Sequence, residues 1–298
     1  MEAGQPSRTA MRVAHARARH QADPRRVFTD PLASKILHLG PDAPMPLPDD
    51  PVARYNTRFV AARSRFAEDS LASAVAAGTR QIVVLGAGLD TFAYRNPHPG
   101  LTVFEVDHPD TQEWKRQQMA AAGIARPPSL TFAPIDFERD TLAEALESAG
   151  LDRTRAAFFM WLGVTPYLTR DAVLATLRFV AGHTAPVHVV FDYYLEPSPA
   201  MSPELRAAHR AATTLVAELG EPWLSYFTPD RMADELRAMG LDDIEDLAGP
   251  QLLARYLGEP TPDADAFQRS CDPRRTYHRP IATPNHPPHS SVAPRPRS

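Results

Sequence analysis

The chain has 298 residues, 43% hydrophobic and 23% charged, with a formal net charge of −4. That balance suits one globular α/β domain with additions, and it excludes a whole-protein field that would gather nucleic acid or acidic membranes. A single cysteine, Cys271, no apolar run near the ~18 residues of a membrane span and no apolar signal-peptide core at the N-terminus together predict a reduced, cytoplasmic protein without disulfide or metal site.

In chain order, residues 9–20 are Ala/Arg-rich with helical spacing, within an Arg-rich start (Arg8, Arg12, Arg17, Arg19, Arg25, Arg26) that reads as a solvated helix face. The proline cluster at 41–51 reads as an extended loop. Residues 52–77 form a long helix with Tyr55, Phe59, Phe66, Leu71 and Val75 among its apolar positions. Strands follow at 81–85, 101–106, 130–135, 156–162 and 186–193. Between them lie helices at 109–122, opened by Pro109, at 140–149, and at 169–182 with Thr169 as its cap. Helices at 203–219 and 229–239 and a short strand at 241–247 close the pattern. Near-continuous apolar strands alternating with helices predict an α/β fold, a mostly parallel, doubly wound sheet covered on both faces. Its ligand site belongs at the carboxyl ends of the strands. From Glu259 the chain is rich in Pro, His, Arg and Ser and poor in aliphatics. It cannot bury enough apolar surface to offset its ordering entropy, so 259–298 is expected to be disordered and dispensable.

The first strand, QIVVL, runs into Gly86-Ala87-Gly88 and then Asp90, Thr91 and Arg95. Glycines there let the backbone turn sharply and a ligand approach it. A dinucleotide fingerprint would place a third glycine where Thr91 stands, and a P-loop would need Gly-Lys-Ser/Thr, which is absent. Asp107 closes the second strand 19 residues after Gly88, placed to accept ribose hydroxyls. Glu105 points to the same side and competes for that role, and either residue would also suit a cap of the following helix. Asp136, closing the third strand, is placed to accept from an adenine amino group with Phe137 along the ring; the plainer reading is a strand end. Asp90 and Arg95 divide evenly between site and structure.

Taken together, these segments resemble class I S-adenosylmethionine-dependent methyltransferases, and more closely the leucine carboxyl methyltransferase and polyketide O-methyltransferase family. The carrying stretches are FTDPLA at 28–33, AARSRFAED at 61–69, VVLGAGLDTFAYR at 83–95, FEVDHP at 104–109, PIDFERD at 134–140 and WLGVTPYLT at 161–169. The resemblance covers roughly residues 9–257 and implies a Rossmann-like fold with S-adenosyl-L-methionine as cofactor. It implies that Arg63 pairs with the cofactor's carboxylate, with Arg65 as the alternative. Gly86 and Gly88 would lie beneath the methionyl part, Asp107 at the ribose, and Asp136 with Phe137 at the adenine. The family often carries a glutamate where this chain has Leu162, so no role is carried over there.

The expected organisation is one methyltransferase domain over 1–258. It comprises N-terminal helices at 9–77, a cofactor-binding core at 80–193, a cap at 194–228, and a C-terminal helix and strand at 229–257. Trp161, Tyr167, Trp223, Tyr226 and Phe227 divide between pocket lining and core. His15, His20 and His108 lie near the site elements and none is assigned a catalytic role. A carboxylate acceptor is ionised at pH 7 and needs no general base, whereas a hydroxyl needs one. No base stands out, which favours a carboxylate on a small-molecule acceptor. The competing readings are an NAD-dependent oxidoreductase, disfavoured by Thr91, and a non-catalytic cofactor-binding protein, to which Leu162 lends weight.

Overall fold

Every residue of the run Gln81–Leu85 is buried, so β1 has no face for solvent and must lie in the middle of a covered sheet. The computed structural model of the chain describes residues 7–39, 45–136, 140–199, 201–258 and 268–275. Around β1 stand β2 (Thr102–Asp107), β3 (Leu130–Pro134), β4 (Ala157–Trp161), β5 (Val187–Tyr194), β6 (Asp243–Ala248) and β7 (Gln268–Arg275). Among the described residues they form one seven-stranded sheet in the order β3-β2-β1-β4-β5-β7-β6. The first five are parallel, and β7 runs antiparallel to both β5 and β6. The fold is therefore the doubly wound, mostly parallel α/β class that the alternation of elements predicts.

The helices are α1 (Arg8–His20), α2 (Pro51–Ala76), α3 (Phe92–Arg95), α4 (Pro109–Ala121), α5 (Leu142–Ser148), α6 (Arg170–Ala181), α7 (Pro203–Glu218), α8 (Pro229–Ala238) and α9 (Gly249–Leu257). Their starts follow capping chemistry: Asp50 accepts from the Ala53 N–H, and Thr169 caps α6 by accepting from the Ala172 N–H. Phe59, Phe66 and Leu71 of α2 pack with Leu252 of α9 on one face of the sheet. Leu146 of α5, Val173 and Leu177 of α6 and Leu236 of α8 pack on the other. Both faces are closed, which is why the strands read as apolar runs.

β7 lies inside the tail that composition predicts to be disordered and dispensable. Residues 268–275 thus form a strand where disorder is expected; the rest of the tail lies outside the described residues. The stretch QRSCDPRR has no apolar alternation, and Cys271 is buried in the core while the strand is held by backbone pairing on both sides. Composition does not report main-chain hydrogen bonds. The ladder to β5 pairs Val187 and His188 and resumes at Phe191, leaving out the register opposite Asp272 and Pro273. Proline has no N–H to give there.

His183, at the end of α6, is buried edge-on between Phe159 and Phe179, with ring centroids 5.3 and 6.2 Å away. Burial first, then Arg153, push its pKa from 6.5 down to about 4. The folded imidazole thus stays neutral while an unfolded chain takes up a proton below pH 6.5. This contribution to stability is present above the unfolded pKa and is lost as pH falls toward 4, at up to about 1.4 kcal/mol per pH unit. His183→Phe should accordingly narrow the difference in urea midpoint between pH 7 and pH 5; an unchanged difference would place the acid sensitivity elsewhere.

Candidate functional site

The chain leaves β1 for β2 and β3 on one side, then returns to β4 on the other, so the topological switch point lies between β1 and β4. Two loops meet there. Gly86 follows β1 at φ +61°, and a Cβ on it would sit 2.4 Å from Cγ2 of Val164, in the loop after β4. Gly88, at φ +45°, passes under α1, where a Cβ would lie 3.3 Å from the Ala10 Cβ. Both glycines are required, the first by conformation and space together.

A cavity of about 1360 Å³ opens above this turn, bounded by the strand ends, α1, α2 and α7. Arg63, Gly86, Gly88, Asp107 and Asp136 all line it. Phe137 lies outside the described residues. A single small-ligand site usually occupies about 300–1,000 Å³, so this one has room for two molecules side by side.

Asp107 Oδ2 accepts from the Gly88 N–H at 2.6 Å and Oδ1 from the His108 N–H at 2.7 Å. The carboxylate therefore pins the glycine turn and keeps further lone pairs on the cavity side. Burial pushes its pKa up, opposed by those two backbone donors. Glu105 is removed from competition: it is buried beneath α4 with Lys115 Nζ 2.7 Å from Oε2, and it does not line the cavity. The helix-cap role goes to His108, whose Nδ1 accepts from the Asp110 N–H. Asp136 follows β3, and its backbone N–H donates to Asp140 Oδ2 at 2.9 Å.

Arg63 is buried in α2, and its Nη1 donates to Asp192 Oδ2 at 2.5 Å. The other carboxylate oxygen of Asp192 accepts from the Gly163 N–H at 2.5 Å. A Cβ at Gly163 would stand 3.1 Å from Nη1 and 3.2 Å from Nη2, so glycine gives the guanidinium its place. Among the described residues Nε of Arg63 is buried with no hydrogen-bond partner. The Nε–Nη2 edge is thus an unspent planar fork in a cavity wall, suited to a carboxylate. Arg65, two residues on, is 48% exposed and bridges Asp69 at the surface. Asp192 was missed by the sequence reading. Its signal was an acid inside the otherwise apolar and aromatic strand β5, two residues before the strand's end.

Arg95 is engaged in ion pairs away from the cavity lining, whereas Asp90 both holds Arg17 and lines the cavity. Arg95 makes a two-pronged ion pair with Glu68 and lies 3.7 Å from Asp30, while Thr91 accepts from its Nε. Asp90 accepts from Arg17 at 2.8 Å, and Arg17 lies 3.4 Å from Asp30. Burial acts to raise the Asp90 pKa, but Arg17 and Arg95 override it and hold it low. Arg17 is 3% exposed, which corrects the reading of the Arg-rich start as a solvated face at that position. Of the aromatics in question, Tyr167 and Trp223 line the cavity, Trp161 and Phe227 are core, and Tyr226 packs on His209. His15 and His108 line the cavity, whereas His20 is buried and accepts from the Val27 N–H.

The chemistry of the donor set fits S-adenosylmethionine: a turn that admits a ligand, acids at the ends of β2 and β3, and an open guanidinium edge. The fold and this site define a class I methyltransferase. Residues 10–181 match the leucine carboxyl methyltransferase family, and the chain belongs to that family. It is 33% identical over 279 residues to a Mycolicibacterium gilvum protein named "Putative S-adenosyl-L-methionine-dependent methyltransferase", covering 86% of this chain and 88% of that one. A Bacillus subtilis protein of the same description is 36% identical over 198 residues, and that match spans 62% of this chain and 64% of the relative. Among solved structures, a methyltransferase from Thermobifida fusca, so titled with the qualifier "putative", superposes with a TM-score of 0.55 at 17% identity. It covers 92% of this chain and 96% of that one, a likeness of fold. No described helix is long and apolar enough to cross a membrane.

Proposed function

We propose that this chain is an S-adenosylmethionine-dependent O-methyltransferase acting in the cytoplasm on a carboxylate, or a hydroxyl, of a small molecule such as a polyketide-type natural product of secondary metabolism. The observation that carries the reading is that one cavity is lined by Gly86, Gly88, Asp107, Asp136 and Arg63, whose Nε has no hydrogen-bond partner among the described residues. In this reading Arg63 holds the amino-acid carboxylate of the cofactor, Asp107 the ribose, and Asp136 the adenine. The glycine turn lets the methionyl chain approach the backbone. When bound, the cofactor supplies a methyl group on a positively charged sulfur, already activated for transfer. The protein's part is then orientation and exclusion of water, effects worth up to about 7–11 kcal/mol in well-aligned systems. The walls from α1 and α7 supply that exclusion. A carboxylate acceptor arrives ionised and asks no proton transfer of the chain. The single cysteine is buried and has no second cysteine in the chain to form a disulfide with, which suits a reducing compartment.

Calorimetric titration tests the reading. S-adenosylmethionine and its demethylated product should bind and NAD(H) should not. Asp107→Ala removes a charged acceptor worth about 1.5–3 kcal/mol, so affinity for S-adenosylmethionine should fall at least tenfold. Unchanged affinity in that variant would take Asp107 out of the site.

A further inference from the structure

α1 lines the cavity with four basic residues, Arg12, His15, Arg17 and Arg19. The first, second and fourth are set apart by their partners from Arg17, whose guanidinium is spent on Asp90, Asp30 and the Leu89 carbonyl. Among the described residues Arg12 and Arg19 have no ion pair and no side-chain hydrogen bond. The acids around the cavity are already engaged. Asp50 caps α2, Asp90 holds Arg17, and Asp107 holds the Gly88 and His108 N–H groups. Glu221 accepts from Ser7 Oγ and from the Arg8 and Thr9 N–H groups at the start of α1. Asp110 and Asp136 also have partners. Of the arginines lining this cavity, Arg17 and Arg63 are held by carboxylates, and Arg12 and Arg19 are the two that no carboxylate among the described residues pairs with.

The same cavity has a lining of a different kind. Ala208 and Ala212 of α7 lie one helical turn apart and line the cavity, as do Leu215 of α7 and Val52 of α2. Val52 is 53% exposed and Leu215 37%, two of the few large apolar side chains left in water. Two guanidinium groups without a carboxylate partner, beside an apolar wall, suit a ligand that brings its own anion and an apolar body. From this geometry we infer that Arg12 and Arg19 are specificity-determining residues that select an acceptor with an anionic head and an apolar body, the body lying along Ala208, Ala212 and Leu215. The inference rests on the methyltransferase reading, because it takes the other half of the cavity to be the cofactor's.

Two dyes test it without turnover: 1-anilinonaphthalene-8-sulfonate, anionic and apolar, and N-phenyl-1-naphthylamine, its neutral counterpart. Both are titrated by fluorescence, alongside calorimetry with S-adenosylmethionine. Arg12→Gln/Arg19→Gln should weaken the sulfonate at least tenfold, leave the neutral dye within about twofold and leave S-adenosylmethionine unchanged. Added NaCl should weaken the sulfonate alone. Ala212→Trp, or Ala208→Trp as an independent variant, should abolish both dyes while the melting temperature is kept. Equal behaviour of the two dyes in the Arg variant overturns the inference. So does sulfonate binding that survives both Trp variants, since the cavity then is not where an anionic apolar molecule lodges. Should wild type bind the dyes as described but not S-adenosylmethionine, the cofactor reading fails and the anion selectivity stands.

Discussion

Arg63→Lys should weaken S-adenosylmethionine at least tenfold and leave methylthioadenosine within about twofold. Lysine keeps a positive charge against Asp192, whose carboxylate lies 2.5 Å from Arg63 Nη1, so the buried pair survives. The substitution removes the second edge of the guanidinium, whose Nε has no partner among the described residues. A charge-assisted pair there is worth about 1.5–3 kcal/mol, which is tenfold or more in affinity. Methylthioadenosine lacks the amino-acid carboxylate and does not sense the loss. Arg63→Ala is the contrasting variant. It leaves the Asp192 carboxylate buried with only the Gly163 N–H as partner, and breaking such a pair typically costs about 3–5 kcal/mol. Its melting temperature should therefore drop sharply where that of Arg63→Lys holds. Equal loss of both ligands in Arg63→Lys would mean that Arg63 acts by holding α2 to β5; no loss of either would move the carboxylate to another residue.

A chain ending at Gly258 should fail to unfold cooperatively, whereas one ending at residue 278 should keep the full-length melting temperature. The shorter chain lacks β7, which pairs with β5 on one side and β6 on the other. Its removal strips the ladder from β5, detaches β6, takes Cys271 out of the core and uncovers Phe191 and Tyr193. At about 1 kcal/mol net per hydrogen bond, two lost ladders rival the roughly 5–15 kcal/mol that holds a domain together. Calorimetric melting of the two chains decides it. A cooperative transition for the shorter chain within about 3 °C of full length would show that the domain does not depend on β7.

The parallel strands and their helices were legible because each carries its environment in its side chains. QIVVL and AFFMW are apolar at nearly every position, as strands covered on both faces must be. Pro109 and Thr169 marked helix starts through local chemistry that needs no tertiary partner. The glycine turn and the acids ending β2 and β3 were legible for the same reason, since their positions relative to a strand end define where they can face. β7 was not, because backbone pairing fixes it and its residues advertise no apolar face.

By itself, then, the sequence determined the class of sheet, the place of the ligand-binding turn and the residues that can face it, because local periodicity and strand ends decide those. Only the tertiary structure decided between neighbours that the sequence left equivalent. Glu105 and Asp107 share a side of β2, yet Lys115 claims the first and leaves the second at the cavity. Arg63 and Arg65 sit two apart, yet Asp192, brought from 129 residues away, takes one and Asp69 the other. Arg17 and Arg12 belong to one Arg-rich helix, yet Asp30 and Asp90 reach only Arg17. Lys115 reaches Glu105 from the next helix, and Asp192 and Asp90 come from 129 and 73 residues away, so the choice rests on how elements pack and no local pattern records it.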